Sequence, residues 1–170
     1  MTIEALNQLG RPEARAAFER CCGASRWIEA MIEARPFADY VGLLSASERA
    51  FGSLERADWL EAFSHHPKIG DVSALRAKFA STATWAGAEQ GGAAVATEAT
   101  LQSLAEGNRA YEARFGYIFI VCATGKSAGE MLALLQARLG ADPDDELPVA
   151  AAEQRKITRL RLEKLLGEGA

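Results

Sequence analysis

Two histidines, His65 and His66, stand side by side in HHPKIGD, residues 65 to 71, and they are the only two in the chain. Imidazole is the side chain that both gives and takes a proton near neutral pH without a pKa shift. A histidine in a loop framed by Pro67 and Gly70 is therefore a candidate general acid or base. The competing reading is structural: histidines at a helix end favour the negative pole of the helix dipole. A second candidate is Glu89, which lies with Gln90 between Trp85 and the pair Gly91 and Gly92. Glycines there let backbone approach a ligand closely, although a solvated first-turn glutamate accounts for the same residue. Lys156, Arg159 and Arg161 are cations of a terminal helix, ordinarily a solvated face. Arg161 lies between Leu160 and Leu162, however, so one of the three must face something less wet.

Other chemistries fall away. Adjacent histidines point in different directions and no Cys-X-X-Cys pair completes a structural zinc site, so no metal is expected. Cys122 follows Ile118, Phe119, Ile120 and Val121, an apolar setting that raises a thiol's pKa and leaves it inert. Gly125-Lys126-Ser127 lacks the earlier glycine of a phosphate loop, since Ile120 occupies that position. With 19 Lys plus Arg against 23 Asp plus Glu, a net charge of −4 and a pI of about 5.3, no broad cationic surface for nucleic acid is expected. The longest uncharged apolar run, Tyr117 to Ala123, is far short of the roughly 20 residues that cross a bilayer. The N-terminal segment has no basic start followed by an apolar stretch, and the three cysteines are an odd count with two adjacent. A cytoplasmic protein with reduced, buried thiols is the expectation.

The elements that must position these residues are helical. The chain has 170 residues, 49% apolar and 25% charged, which suits one folded domain over residues 1–170, with room for two helical lobes sharing a core. Richness in Ala, Leu, Glu and Arg predicts an all-α fold, a single compact helical domain of about seven to nine helices. Pro12 suits the first turn of a helix running to about Cys22 and ended by Gly23. Ser25 is expected to cap a helix carrying Trp27, Ile28, Met31 and Ile32, stopped at Arg35-Pro36. Further helices are expected from about Phe37 to Phe51, from a capping box at Asp58 to Glu61 that leads into the histidines, and over Ser73 to Phe79. A long helix from about Thr97 to Phe115 ends at Gly116, and Ser127 to Glu130 is a capping box for one closed by Gly140. Tyr117 to Ala123 is expected to be extended and buried, Pro143 to Pro148 an acidic connector, and Val149 to Leu166 the last helix.

Taken together, HHPKIGD, WAGAEQGG, NRAYEARFGYIFIVCATGKS and KITRLRLEKL, with CCGASRWIEAMIEARPF near the start, resemble the OHCU decarboxylases, which act on 2-oxo-4-hydroxy-4-carboxy-5-ureidoimidazoline in urate breakdown. The likeness spans nearly the whole chain. It implies an all-helical, cofactor-free lyase, usually a homodimer, that converts OHCU to (S)-allantoin with loss of carbon dioxide. By motif, the resemblance makes His66, directly before Pro67, the catalytic histidine and gives His65 no such role. It matches Glu89 to the active-site glutamate, Gln90 to its amide partner and Arg161 to the arginine that reaches substrate. Pro67 and the backbone of Phe119, Ile120, Val121, Cys122 and Ala123 fall on substrate-contacting positions. Ala86 stands where many members carry a serine, three residues before the glutamate, so a side-chain hydrogen bond to substrate has to be replaced there by water or backbone. Two other readings stay open: a paralogue acting on a related ureido or imidazoline acid, and a non-catalytic helical partner module.

Overall fold

The computed structural model describes residues 1–68, 70–86 and 97–167, with the side chains of 80–86 excepted. Nine helices account for its regular structure, and among the described residues there is no strand. They are α1 (Ile3–Gln8), α2 (Arg11–Glu19), α3 (Ser25–Glu33), α4 (Tyr40–Gly52), α5 (Arg56–Ser64), α6 (Val72–Ala86), α7 (Glu98–Phe115), α8 (Ala128–Leu139) and α9 (Pro143–Leu165). The expected all-α class is what forms. Two compact units result: the first holds residues through His66, Ile120–Cys122 and the chain from Val149, the second Pro67–Phe119 and Ala123–Pro148.

The first unit is built around α3, which packs on α2, α4 and α5. Its apolar residues Trp27, Ile28, Met31 and Ile32 recur at helical spacing and are all buried. Phe18 meets the Trp27 ring edge-on at 5.9 Å and Phe37 at 6.3 Å. The indole N–H of Trp27 donates to Ser47 Oγ at 3.2 Å, which satisfies a polar atom that would otherwise be stranded in the core. Leu162 of α9 is fully buried in the same core. Asn7 and the backbone of Phe37 exchange two hydrogen bonds of 2.8 Å, which pin the chain just after α3.

In the second unit α7 packs on α8 and α6. Thr97 caps α7 and Gly116 ends it at φ 81°, the left-handed conformation that L side chains avoid. Tyr111, Phe115, Tyr117 and Phe119 form an aromatic cluster, and the Arg138 guanidinium lies 4.6 Å from the Phe119 ring centre. Glu146, 1% exposed, accepts from Arg138 Nε at 2.7 Å and from the Tyr111 hydroxyl. The segment from Tyr117 to Ala123 is non-helical, with Tyr117, Ile120 and Cys122 buried, as its composition predicts.

Several boundaries differ from the sequence expectation. A short α1 precedes the predicted first helix, capped by Thr2. Helix α2 ends at Glu19 rather than Cys22, with a turn at Arg20 and Cys21. Ser25 is the first helical residue rather than the cap, and its N–H and hydroxyl both donate to the Glu61 carboxylate. The capping box of α5 is Glu55 with Asp58, three residues before the predicted one, because Asp58 Oδ2 accepts the Glu55 N–H at 2.8 Å. The predicted acidic connector is the start of α9. Asp142 accepts the N–H groups of Asp144, Asp145 and Glu146, and buried Glu146 and Leu147 anchor the first turns. Pro148 inside the helix removes only the ladder bond to the exposed Asp144 carbonyl.

Candidate active site

Helix α5 delivers His66. Phe63 and Ala62 are buried at its end, and the N–H groups of His65 and His66 bond back to their carbonyls at 3.3 and 3.2 Å. Pro67 then prevents further helix. His65 is the C-cap, as the structural reading of a histidine at a helix end requires, and is exposed. His66 is half-buried, and its Nε2 lies 2.5 Å from Gln154 Oε1 on α9.

A chain of buried polar groups backs this contact. Gln154 Nε2 donates to Thr158 Oγ1 at 3.2 Å, and the Thr158 hydroxyl donates to the Gln154 carbonyl at 2.9 Å. Gln154 is 1% exposed and Thr158 fully buried. Less than a turn further along α9, Arg161 is part-buried, and its Nη1 approaches the Cys21 carbonyl at 3.5 Å. Lys156 and Arg159 are exposed and pair with Glu153 and Glu163 on their own helix. Arg161 is thus the cation of the three that faces inward.

The electrostatics follow from burial. His66 is held below its ordinary pKa chiefly by burial; the Gln154 bond works in the opposite direction, and the positive charges of Arg161 and His65 lower it further. A depressed pKa favours neutral imidazole at pH 7 and makes the protonated ring a stronger proton donor. Burial pushes the Cys21 thiol up to about 12 and raises that of Cys22, with the Arg161 charge opposing both. None of the three cysteines is in a disulfide and all three are buried, the state expected from their count and spacing.

The first unit therefore brings together His66 and Arg161 of the residues singled out in the sequence. Ile120, Val121 and Cys122 belong to the same unit, and the Cys122 N–H donates to Glu153 Oε2 at 2.8 Å. Pro67, Phe119 and Ala123 belong to the second unit, with the Phe119 ring against Tyr111 at 5.2 Å. Ala86 is the last residue of α6, its side chain outside the described part, and Glu89 and Gln90 lie outside the described residues. Gln154 and Thr158 were not anticipated. Their signal was present: Ala151, Gln154, Thr158 and Leu162 recur at intervals of three or four, which puts two polar residues on the buried stripe of α9. Among the described residues no group of three His, Cys, Asp or Glu could hold a metal ion, and no helix is long and apolar enough to cross a membrane.

Comparison with known proteins adds a lineage to this geometry. Residues 7–163 match a family model described as OHCU decarboxylase. The chain is 40% identical over 153 residues to the uric acid degradation bifunctional protein TTL of Arabidopsis thaliana, covering 88% of this chain and 46% of that protein. It is 39% identical over 59 residues to the 2-oxo-4-hydroxy-4-carboxy-5-ureidoimidazoline decarboxylase of Amia calva, covering 35% and 34%. These matches span less than half the length of either relative. A crystal structure of OHCU decarboxylase in the presence of (S)-allantoin superposes with a TM-score of 0.70 at 36% identity, covering 88% of this chain and 96% of that one.

Proposed function

We propose that this chain, which belongs to the OHCU decarboxylase family, removes carbon dioxide from OHCU to give (S)-allantoin, acting over residues 1–170 as one domain. The observation that carries the proposal is the pairing, in one compact unit, of a half-buried His66 with a depressed pKa and an inward-facing Arg161. Those are the acid and the cation that a decarboxylation without an added electron sink calls for.

The bond from ring carbon to carboxylate breaks, carbon dioxide leaves, and the electron pair enters the imine-like ring of the substrate itself. A cofactor-free course is part of the proposal. Arg161 favours charge as it spreads into the ring and carbonyls; a grip on the departing carboxylate would stabilise the ground state and slow the step. Protonated His66 then delivers its proton to the vacated carbon from one face, which gives a single enantiomer, and regains a proton from water. Glu89 and Gln90 complete the site in this proposal, Glu89 either orienting the imidazole or accepting from the substrate's hydroxyl or ureido N–H. Pro67 and the backbone of Phe119 to Ala123 contribute the remaining substrate contacts. A homodimer in the cytoplasm is the proposed setting, supported by the family resemblance and by three buried cysteines outside any disulfide, which suit a reducing compartment.

One residue favours a second reading. Ala86, where many relatives carry serine, suits a paralogue that accepts a related ureido or imidazoline acid. The deciding assay follows the absorbance of freshly made OHCU together with the optical sign of the product. Accelerated decay with (S)-allantoin is expected. Decay at the unaided rate to racemic allantoin rejects the proposal, and a stable complex with another urate-pathway enzyme would then favour a partner module. Gel filtration tests the dimer.

A further inference from the structure

We infer that Gln154 is a positioning residue that holds the His66 ring with its proton on Nε2, so that Nδ1 is the atom that trades a proton with substrate. The catalytic part of this inference rests on the decarboxylase proposal; the tautomer itself does not.

Thr158 has one hydroxyl proton, and it goes to the Gln154 carbonyl at 2.9 Å. Its lone pairs are left to accept, and one of them takes the Gln154 Nε2 donor at 3.2 Å. With Nε2 of the amide committed to Thr158, Oε1 is the atom turned to His66, and Oε1 has no proton to give. A contact of 2.5 Å between Oε1 and the ring nitrogen therefore requires His66 Nε2 to be the donor. Turning the amide over would place Oε1 against Thr158 and pull its hydroxyl from the carbonyl. That costs a hydrogen bond where Gln154 is 1% and Thr158 0% exposed, so bulk water is not at hand to replace it.

The consequence is a division of labour within one ring. Nε2–H is bonded to Gln154 in both the neutral and the protonated state, and titration takes place at Nδ1 alone. A neutral amide suits this task because it orients the ring without supplying a counter-charge. Arg161 on the same helix and His65 beside the ring both disfavour the imidazolium, which keeps the proton at Nδ1 easy to release. A carboxylate at position 154 would hold that proton more firmly.

The test is long-range nitrogen–proton NMR of the full chain labelled at histidine, with His66→Asn assigning the two rings. Wild-type protein above the His66 midpoint is expected to show Nε2 protonated and Nδ1 bare. In Gln154→Leu the Nδ1–H form should gain population, because a half-buried Nε2–H then lacks its acceptor. Should that variant fail to fold, Gln154→Glu keeps an acceptor at the ring. It should retain Nε2–H and raise the His66 midpoint by about one pH unit or more, moving the alkaline limb of kcat/KM the same way. A wild-type ring protonated on Nδ1, or a midpoint unmoved in Gln154→Glu, overturns the inference. The expected tautomer in a protein that does not turn over OHCU would instead reject the decarboxylase proposal and leave the lock in place.

Discussion

The ring of His65 occupies the space that a side chain on Gly23 would need: a Cβ added there comes within 2.2 Å of His65 Cγ and 2.5 Å of its Cβ. The clash reaches the stem of the histidine, so a change of rotamer does not relieve it and the backbone must shift. Gly23→Ala should destabilise by about 1–3 kcal/mol in urea melts, and it should slow turnover by moving the residue next to His66. His65→Ala is expected not to rescue it, since the Cβ remains, whereas His65→Gly should rescue it in part.

The two histidines should separate cleanly in kinetics. His66→Ala or His66→Asn is expected to fold and to lose more than about a hundredfold in kcat, the scale of one acid or base group. His65→Ala should be mild, because that ring is exposed at a helix end. Equal losses in both would show that the wrong ring has been assigned.

Arg161→Lys retains the charge that depresses the His66 pKa but loses the planar fork. We expect a decline of roughly tenfold or more in kcat, short of the hundredfold to thousandfold typical of removing an oxyanion donor outright. The pH midpoint of kcat/KM should stay nearly where it is in wild type. Unchanged kinetics would place Arg161 outside the site.

Acidification should expose the cost of burying His66. Its folded pKa lies below the reference value of 6.5, so below about that pH the unfolded chain binds the proton more readily than the native one. The contribution to stability is fully present above 6.5 and is lost as pH falls through that value towards the folded midpoint. Denaturant midpoints measured from about pH 7.5 to about pH 5 should therefore fall more steeply for wild type than for His66→Asn. Parallel curves would contradict the depressed pKa.

In the second unit Glu146 carries the stability prediction. Its carboxylate, 1% exposed, meets Arg138 Nη2 at 2.5 Å, and the Arg138 side chain is itself 12% exposed. Glu146→Ala takes away the carboxylate facing a buried guanidinium and the acceptor of the Tyr111 hydroxyl, and should cost about 3–5 kcal/mol in denaturant unfolding. Glu146→Gln keeps an acceptor for Tyr111 and should cost less.

Much of this organisation was legible in the chain, and the misses share a cause. Gly116 as the stop of α7 and the Ser127–Glu130 box of α8 were readable because both are local, decided within four residues. The pair His65 and His66 stood out because the chain has no other histidine, and the choice of His66 between them rested on the family resemblance. The start of α9 was not legible, since two prolines and three acidic residues describe a loop until Tyr111 and Arg138 make Glu146 a buried partner. Gln154 was missed for the same reason. It reads as a surface glutamine in AAEQRK until a ring from residue 66, far away in sequence, arrives at its oxygen.

Helix α9 also has a phase to keep. Gln154, Thr158 and Arg161 share one stripe of it, and each residue advances the stripe by about 100°. Deleting or inserting one residue between Gln154 and Thr158 would turn the backing hydroxyl and the guanidinium out of line with the ring's acceptor, even though those three side chains survive. Drift in this helix is thus open to exchange of residues and closed to changes of length.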